Sequence, residues 1–340
     1  MNESPLKTLL ICHEGALLDQ QGLARWLGSF SNLTGVIVLR ENGERKRRRI
    51  KREIKRVGLM RFLDVLAFRV YYRLTLAERD RRWEHERLNE ICSTYPETGA
   101  PVLFTDSPNS AEAEEFIKRL RPDIMLARCK TLLKESIFSL PATGTFVMHP
   151  GICPEYRNAH GCFWALANGD VEKVGMTLLR IDKGVDTGPV YGYFGYDYDE
   201  LTESHIVISQ RVLFDNLKAI AARLIEIYEG KAHSLDTSGR VSAAWGQPWL
   251  TAYLKWKRRR TFRVSRLASR VPNSPEARAT NIVPNPQNAK RQTRNGTLRV
   301  SPFTSRVPDS PEARSTNIAP NPQNAKRQTR NAKRSLGELK

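Results

Sequence analysis

Short apolar runs bounded by polar or turn-forming residues punctuate the first half of the chain. TLLIC (8–12) reads as a buried strand, followed by a helical pattern over 22–30. TGVIVLR (34–40), VLFT (102–105), DIMLA (123–127) and TFVMH (145–149) predict four more strands, with helical spacing over 111–120 and 134–140. Unbroken apolar runs suit strands covered on both faces, and their alternation with helices is the pattern of a doubly wound α/β fold. The expected fold is a Rossmann-like, mostly parallel sheet. Such sheets bind ligands beyond the carboxyl ends of their strands. His149, which closes the fifth run, therefore stands where chemistry is expected.

Residues 41–90 break this rhythm. RKRRRIKREIKR (45–56) precedes Leu59, Phe62, Leu63, Leu66, Ala67 and Val70, which fall at helical intervals. Arg61, Asp64, Arg69 and Arg73 interrupt the apolar pattern, so it does not span a membrane. It predicts an amphipathic helical insertion packed on the domain with a solvated basic face. The other reading gives that face contact with a phosphate-bearing ligand or a membrane surface. Farther on, VYGYFGYDYD (190–199) suits a strand, and 207–228 reads as one long helix with Leu213, Leu217, Ile220, Leu224 and Ile227 on one face. Thr202 or Ser204 is its expected N-cap. The pattern places a core domain at 1–256 and a tail at 257–340.

Charge changes the picture only in the tail. The 340-residue chain carries +19, of which 262–340 supply +12 and 255–260 supply +5. The first 254 residues are thus nearly neutral, so the basic character does not belong to the expected domain. FRVSRLASRVPNSPEARATNIVPNPQNAKRQTRN (262–295) recurs at 298–331 with an offset of 36 residues. Two copies are too few to stack into a solenoid, and their few large apolar residues cannot offset the entropy of ordering. A disordered tail is expected, with a nucleic-acid-binding arm as the other reading, disfavoured because no aromatics interleave with the charge. The five cysteines are widely spaced, without a CxxC pair. That pattern argues against a disulfide framework or a zinc site and, with no leader-like or membrane-spanning run, predicts a cytoplasmic protein.

The residues that could carry chemistry lie in 132–191. His149 enters a loop fixed by Pro150, Gly151 and Pro154, and the donors Arg157, Asn158 and His160 follow. IDKGVDTGP (181–189) places Asp182 and Asp186 in a glycine-containing loop between two predicted strands. An imidazole beside a carboxylate suits general acid–base work, although a strand-end histidine or a turn aspartate is as often structural.

The order of the segments is more specific than any one of them. LLKESIFSLPATG, FVMH, PGICPEYRN, FWALANGD, VGMTLL and DKGVDTG follow one another in the order found in the folate-dependent formyltransferase family, which this chain resembles from about Thr8 to Trp256, densely over 132–190. The resemblance implies formyl transfer from 10-formyltetrahydrofolate to an amine, with His149 and Asp186 as catalytic residues and no metal. It assigns Leu132, Leu133, Asp182, Gly184 and Val185 to the pterin pocket, and Arg157, Asn158 and His160 to acceptor binding or loop order. Two positions depart from the family. Val147 stands where the family has a catalytic asparagine, and Gly151 where it has a serine. His160 or Asn158 would then have to supply the missing donor, or turnover would fall. The loop CHEGALLDQQG (12–22) lacks the Gly-Ser-rich cradle of a ribonucleotide acceptor, and after Trp256 only basic repeats follow. A sugar nucleotide or another small amine is the expected acceptor. A tRNA acceptor, a nucleic-acid-binding protein and a folate-binding homologue without turnover are the alternatives.

Overall fold

In the computed structural model, which describes residues 5–40 and 43–268, the first predicted strand is the pivot of a seven-stranded sheet. This strand, β1 (Lys7–His13), pairs in parallel with β2 (Asn32–Leu39) on one side and β4 (Ile124–Ala127) on the other. β3 (Val102–Thr105) extends the sheet beyond β2, and β5 (Gly144–His149) extends it beyond β4, both in parallel. β7 (Met176–Arg180) and β8 (Val190–Phe194) complete it in antiparallel fashion. The two-residue strands β6 (Arg157–Asn158) and β9 (Ala244–Trp245) pair separately. The α/β, mostly parallel expectation holds.

The unbroken apolar run of β1 is explained by what covers it. Leu10 and Cys12 enter the larger core with Trp26 and Leu27 of α1 (Ala24–Phe30). Leu9 and Ile11 enter a second core with Ala113, Phe116 and Ile117 of α5 (Ala111–Leu120). Successive side chains point to opposite faces, so a strand covered on both needs apolar residues at every position. The larger core also takes in α7 (Gly161–Asn168), α8 (His205–Phe214), α9 (Leu217–Tyr228) and the start of α10 (Leu250–Ala268). Its buried indoles are satisfied: Trp26 Nε1 donates to the Leu217 carbonyl at 3.1 Å and Trp164 Nε1 to that of Gly246 at 2.9 Å.

The insertion is three helices, α2 (Gly43–Val57), α3 (Leu59–Thr75) and α4 (Ala77–Thr94). Gly58 turns the first corner at φ +80°, a conformation that favours glycine. α3 is anchored by buried Phe62, Val65 and Phe68, the last packed between Phe163 and Tyr253.

Four local expectations are corrected. The helix read over 207–228 is α8 and α9, separated at Asp215 and Asn216. The Asn216 amide donates to the carbonyls of Gly195 and Val212, a local side-chain alternative to continued helix. Apolar spacing runs through the break because Leu213 and Leu217 are both buried, which is why periodicity missed it. The strand read over 190–199 stops at Phe194, and Tyr196 turns instead to donate to Glu203. The helix read over 134–140 is one turn, α6 (Glu135–Phe138). The helix read over 22–30 starts earlier, in the wide turns of Leu18–Leu23. Of the two candidate caps, Ser204 is the one used, accepting from the amides of Ile206 and Val207. α10 continues through Trp256 to Ala268, so residues 257–268 of the expected disordered tail are helical, and the rest of that tail lies outside the described residues from 269 onward.

Candidate active site

β5 ends on His149 at the carboxyl edge of the parallel strands. Period-two geometry puts Val147 and His149 on one face of this strand and Phe146 and Met148 on the other, where they enter the larger core. His149 is buried. Its Nε2 lies 2.8 Å from the Tyr156 carbonyl oxygen, which can only accept, so Nε2 carries a hydrogen. Its Nδ1 lies 3.4 Å from Asp186 Oδ2. Residues 37 positions apart in sequence thus meet at one point.

Backbone contacts hold that meeting in place. Asp186 Oδ2 also accepts the main-chain N–H of Asn158 at 2.8 Å. The loop carrying Asp186 is folded by its own residues: Asp182 Oδ1 accepts from the Gly184 amide at 2.9 Å and from the Thr187 hydroxyl at 2.7 Å. Arg157 clamps it from outside, donating from Nη1 to the Val185 carbonyl at 2.8 Å and from Nε to Ser242 at 2.9 Å. Asn158, His160 and Asp186 have φ of 76°, 56° and 51°, three of the four non-glycine residues in the left-handed region among those described. Clustered backbone of this kind persists where surrounding structure over-determines it, as at ligand sites.

The other sequence-assigned residues divide. Leu133 packs on the second core, whereas the Leu132 side chain is 66% exposed and its carbonyl accepts from Asn109. Their segment faces the Asp182–Val185 loop closely enough for Lys183 to pair with Glu135 at 3.0 Å. The Asn158 amide donates to the Trp245 carbonyl at 2.5 Å, so its main chain, not its side chain, meets Asp186. Burial pushes the His160 imidazole down to about 4, with the nearby Lys130 charge reinforcing the shift and a hydrogen bond to Gln247 opposing it. His160 is therefore neutral at physiological pH, and its ring sits 6.3 Å from that of His205.

Sequence reasoning missed two residues that build the site. Thr177, paired with His149 across β5 and β7, donates to the Gly151 carbonyl at 2.6 Å and accepts from the Cys153 amide at 3.0 Å, bracing the loop after the histidine. Arg128 directly follows β4, donates to the Met148 carbonyl at 3.0 Å and pairs with Asp19 at 3.2 Å. The signal was there: a lone arginine just past a buried strand, and a threonine inside an apolar one. Burial pushes the thiols of Cys12 and Cys153 up to about 12, the charges of Asp19 and Asp186 respectively adding to it, so neither is a thiolate nucleophile near neutral pH. Among the described residues, no group of three or more His, Cys, Asp or Glu is placed to hold a metal ion.

The two departures look different in three dimensions. Val147 is partly buried against an apolar cluster of Cys153, Leu179 and Val190. At Gly151 a Cβ would lie 2.5 Å from the Tyr156 carbonyl, 2.8 Å from His149 Nε2 and 2.9 Å from the Gly161 Cα. The loop has closed over the space a serine would fill. Gly151→Ser is therefore expected to cost on the order of 1–3 kcal/mol by overpacking, read as a lowered thermal midpoint, and an unchanged midpoint would show that the loop opens freely.

Residues 76–224 match the family model described as formyl transferase. The chain is 40% identical over 95 residues to a methionyl-tRNA formyltransferase of Kosmotoga olearia, covering 28% of this chain and 30% of that one. It is 32% identical over 144 residues to the methionyl-tRNA formyltransferase of Thermotoga maritima, covering 40% and 45%. The chain thus matches less than half the length of these curated relatives. A sugar N-formyltransferase structure from Shewanella sp. aligns over 71% of this chain and 76% of its own, at 10% identity and a TM-score of 0.43.

Proposed function

We propose that this chain, whose residues 76–224 match the formyl transferase family model, moves a formyl group from 10-formyltetrahydrofolate to an amine of a small acceptor such as a sugar nucleotide. The observation that carries the reading is the 3.4 Å approach of His149 and Asp186 at the carboxyl edge of β5. The reaction is an acyl transfer in which the amine gives up one proton and the departing folate nitrogen takes one.

A pair that shares a proton suits that exchange. With Nε2–H committed to Tyr156, a neutral His149 would turn a lone pair at Nδ1 towards a carboxylate, which is repulsive unless a proton lies between them. In the proposed reaction, a proton carried between His149 and Asp186 is the one exchanged. The imidazole gives it towards the developing oxyanion or the leaving nitrogen, and the carboxylate receives the one the amine loses. At 3.4 Å the contact is looser than a good charge-assisted hydrogen bond, which leaves the Nδ1 edge as the side a substrate enters. Val147 offers apolar surface on the face of β5 that carries His149, and Glu135 and Lys183 tie the Leu132–Glu135 segment to the Asp182–Val185 loop.

A second reading, a ligand-binding homologue without turnover, rests on Val147, which offers no hydrogen bond to a formyl oxygen. The test supplies 10-formyltetrahydrofolate with a panel of amino-sugar nucleotides and other small amines, and follows folate deformylation and formamide formation. Turnover that disappears in His149→Ala supports the proposal. Tight folate binding with no His149-dependent turnover on any amine favours the second reading.

A further inference from the structure

The side of α3 facing away from the domain has no partner among the described residues. Leu59, Leu63, Leu66, Val70 and Leu74 follow one another at intervals of three and four, and all are exposed, Leu74 by 78%. Met60, 81% exposed, widens the stripe at its start. The opposite side of the same helix, Phe62, Val65 and Phe68, is the one packed on the core. α3 therefore carries two apolar faces and needs only one for folding. Isolated exposed leucines need no explanation, but a continuous stripe over a helix of 17 residues, about 25 Å long, marks a contact surface.

Charge selects what would cover it. α2, joined to α3 at Gly58 and packed on it, carries nine Lys or Arg against two Glu. Arg47, Lys51 and Lys55 line a shallow hollow with Ile50 and Ile54, and another hollow at the corner is lined by Val57, Leu59 and Met60. Arg69 and Arg73 lie exposed along α3 itself. A second copy of this chain would bring the same positive charge against it, and so would the segment 262–340 at +12. Nucleic acid would meet the charge but not an aliphatic stripe that offers no ring for stacking. An apolar helix face beside Lys and Arg is what an anionic bilayer surface accommodates, with aliphatic side chains among the acyl chains and cations at the headgroups.

From this we infer that the α2–α3 corner seats the protein on an anionic lipid surface, α3 lying in the interface plane. No helix among the described residues is long and apolar enough to cross a membrane, so the contact is peripheral.

The full chain is mixed with vesicles of neutral phosphatidylcholine, or of phosphatidylcholine with one third phosphatidylglycerol, and floated through a density gradient. The expected result is flotation with the anionic vesicles only. Replacing Leu63, Leu66 and Val70 together by Gln leaves the net charge unchanged, so any attraction of the basic C-terminal segment persists. This variant is expected to lose at least tenfold in vesicle affinity while keeping its circular dichroism and thermal midpoint. A second variant, Lys51→Gln with Arg52→Gln and Lys55→Gln, should weaken flotation without touching the stripe. Equal flotation of the wild type and the Leu63/Leu66/Val70 variant would overturn the inference in favour of tail electrostatics alone. Absence of flotation, with a dimer that the same three substitutions dissociate, would assign the stripe to a second copy. Neither readout depends on formyl transfer.

Discussion

Asp186→Asn is expected to lower turnover by about 10²–10⁴-fold with little change in stability, the range associated with losing a positioned general acid–base group or the carboxylate that orients a histidine. The substitution isolates charge from shape. Asparagine tolerates the left-handed backbone that Asp186 adopts at φ 51°, and its carbonyl can still accept the Asn158 amide that now bonds Oδ2. What it removes is the negative charge 3.4 Å from His149 Nδ1. The amide could then neither take the amine's proton nor hold one jointly with the imidazole. Single-turnover rates at saturating 10-formyltetrahydrofolate, beside thermal denaturation of the same preparations, separate the two effects. A rate loss under tenfold would remove Asp186 from the chemistry and leave it as a loop residue. A matching fall in thermal midpoint would mean that the loop, not the charge, had been lost.

How much of this was legible beforehand depended on which physical signal each feature leaves in sequence. The strands were readable because burial on both faces forces apolar residues at every position, as in Leu9 to Cys12. The break between α8 and α9 was not, because the side chains that make it, Asp215 and Asn216, interrupt the backbone without interrupting the apolar spacing of Leu213 and Leu217. His149 and Asp186 could be picked out singly, each ending or turning an element. Because β7 runs antiparallel to β5, the loop after β7 leaves beside the start of β5 and must fold back along the sheet to bring Asp186 to His149, and no local pattern encodes that. Thr177 and Arg128 left only a polar residue in or just past an apolar strand as a signal, because each acts through main-chain carbonyls, of Gly151 and Met148, which every residue possesses. Asn158 shows the converse. Its side chain invites assignment to an acceptor, but in the fold it is bound to the Trp245 carbonyl and its main-chain N–H reaches the carboxylate.

Val147→Asn should move activity and stability in opposite directions. The family resemblance places a hydrogen-bond donor at this position, and the loss of one preorganised donor to a developing oxyanion lowers rates by about 10²–10³-fold. Restoring it is expected to raise turnover by up to about 10²-fold. The side chain projects from the same face of β5 as His149, two residues on, so an amide there shares its side of the strand. It also sits against Cys153, Leu179 and Val190, which offer it no polar side-chain partner in place of water. Burying an unsatisfied amide in that setting costs roughly 1–3 kcal/mol. The gain requires the amide to reach substrate, whereas the cost is incurred in the free protein, so a faster but less stable variant is the expected outcome. Lower stability with unchanged turnover would mean that the oxyanion is already served by another group. His149 is the first candidate, since its ring is fixed at Nε2 by Tyr156 and turns its other nitrogen to Asp186. In that case the valine would be a neutral replacement in a site whose histidine and aspartate suffice, and the difference from the family would lie in binding rather than in the rate of transfer.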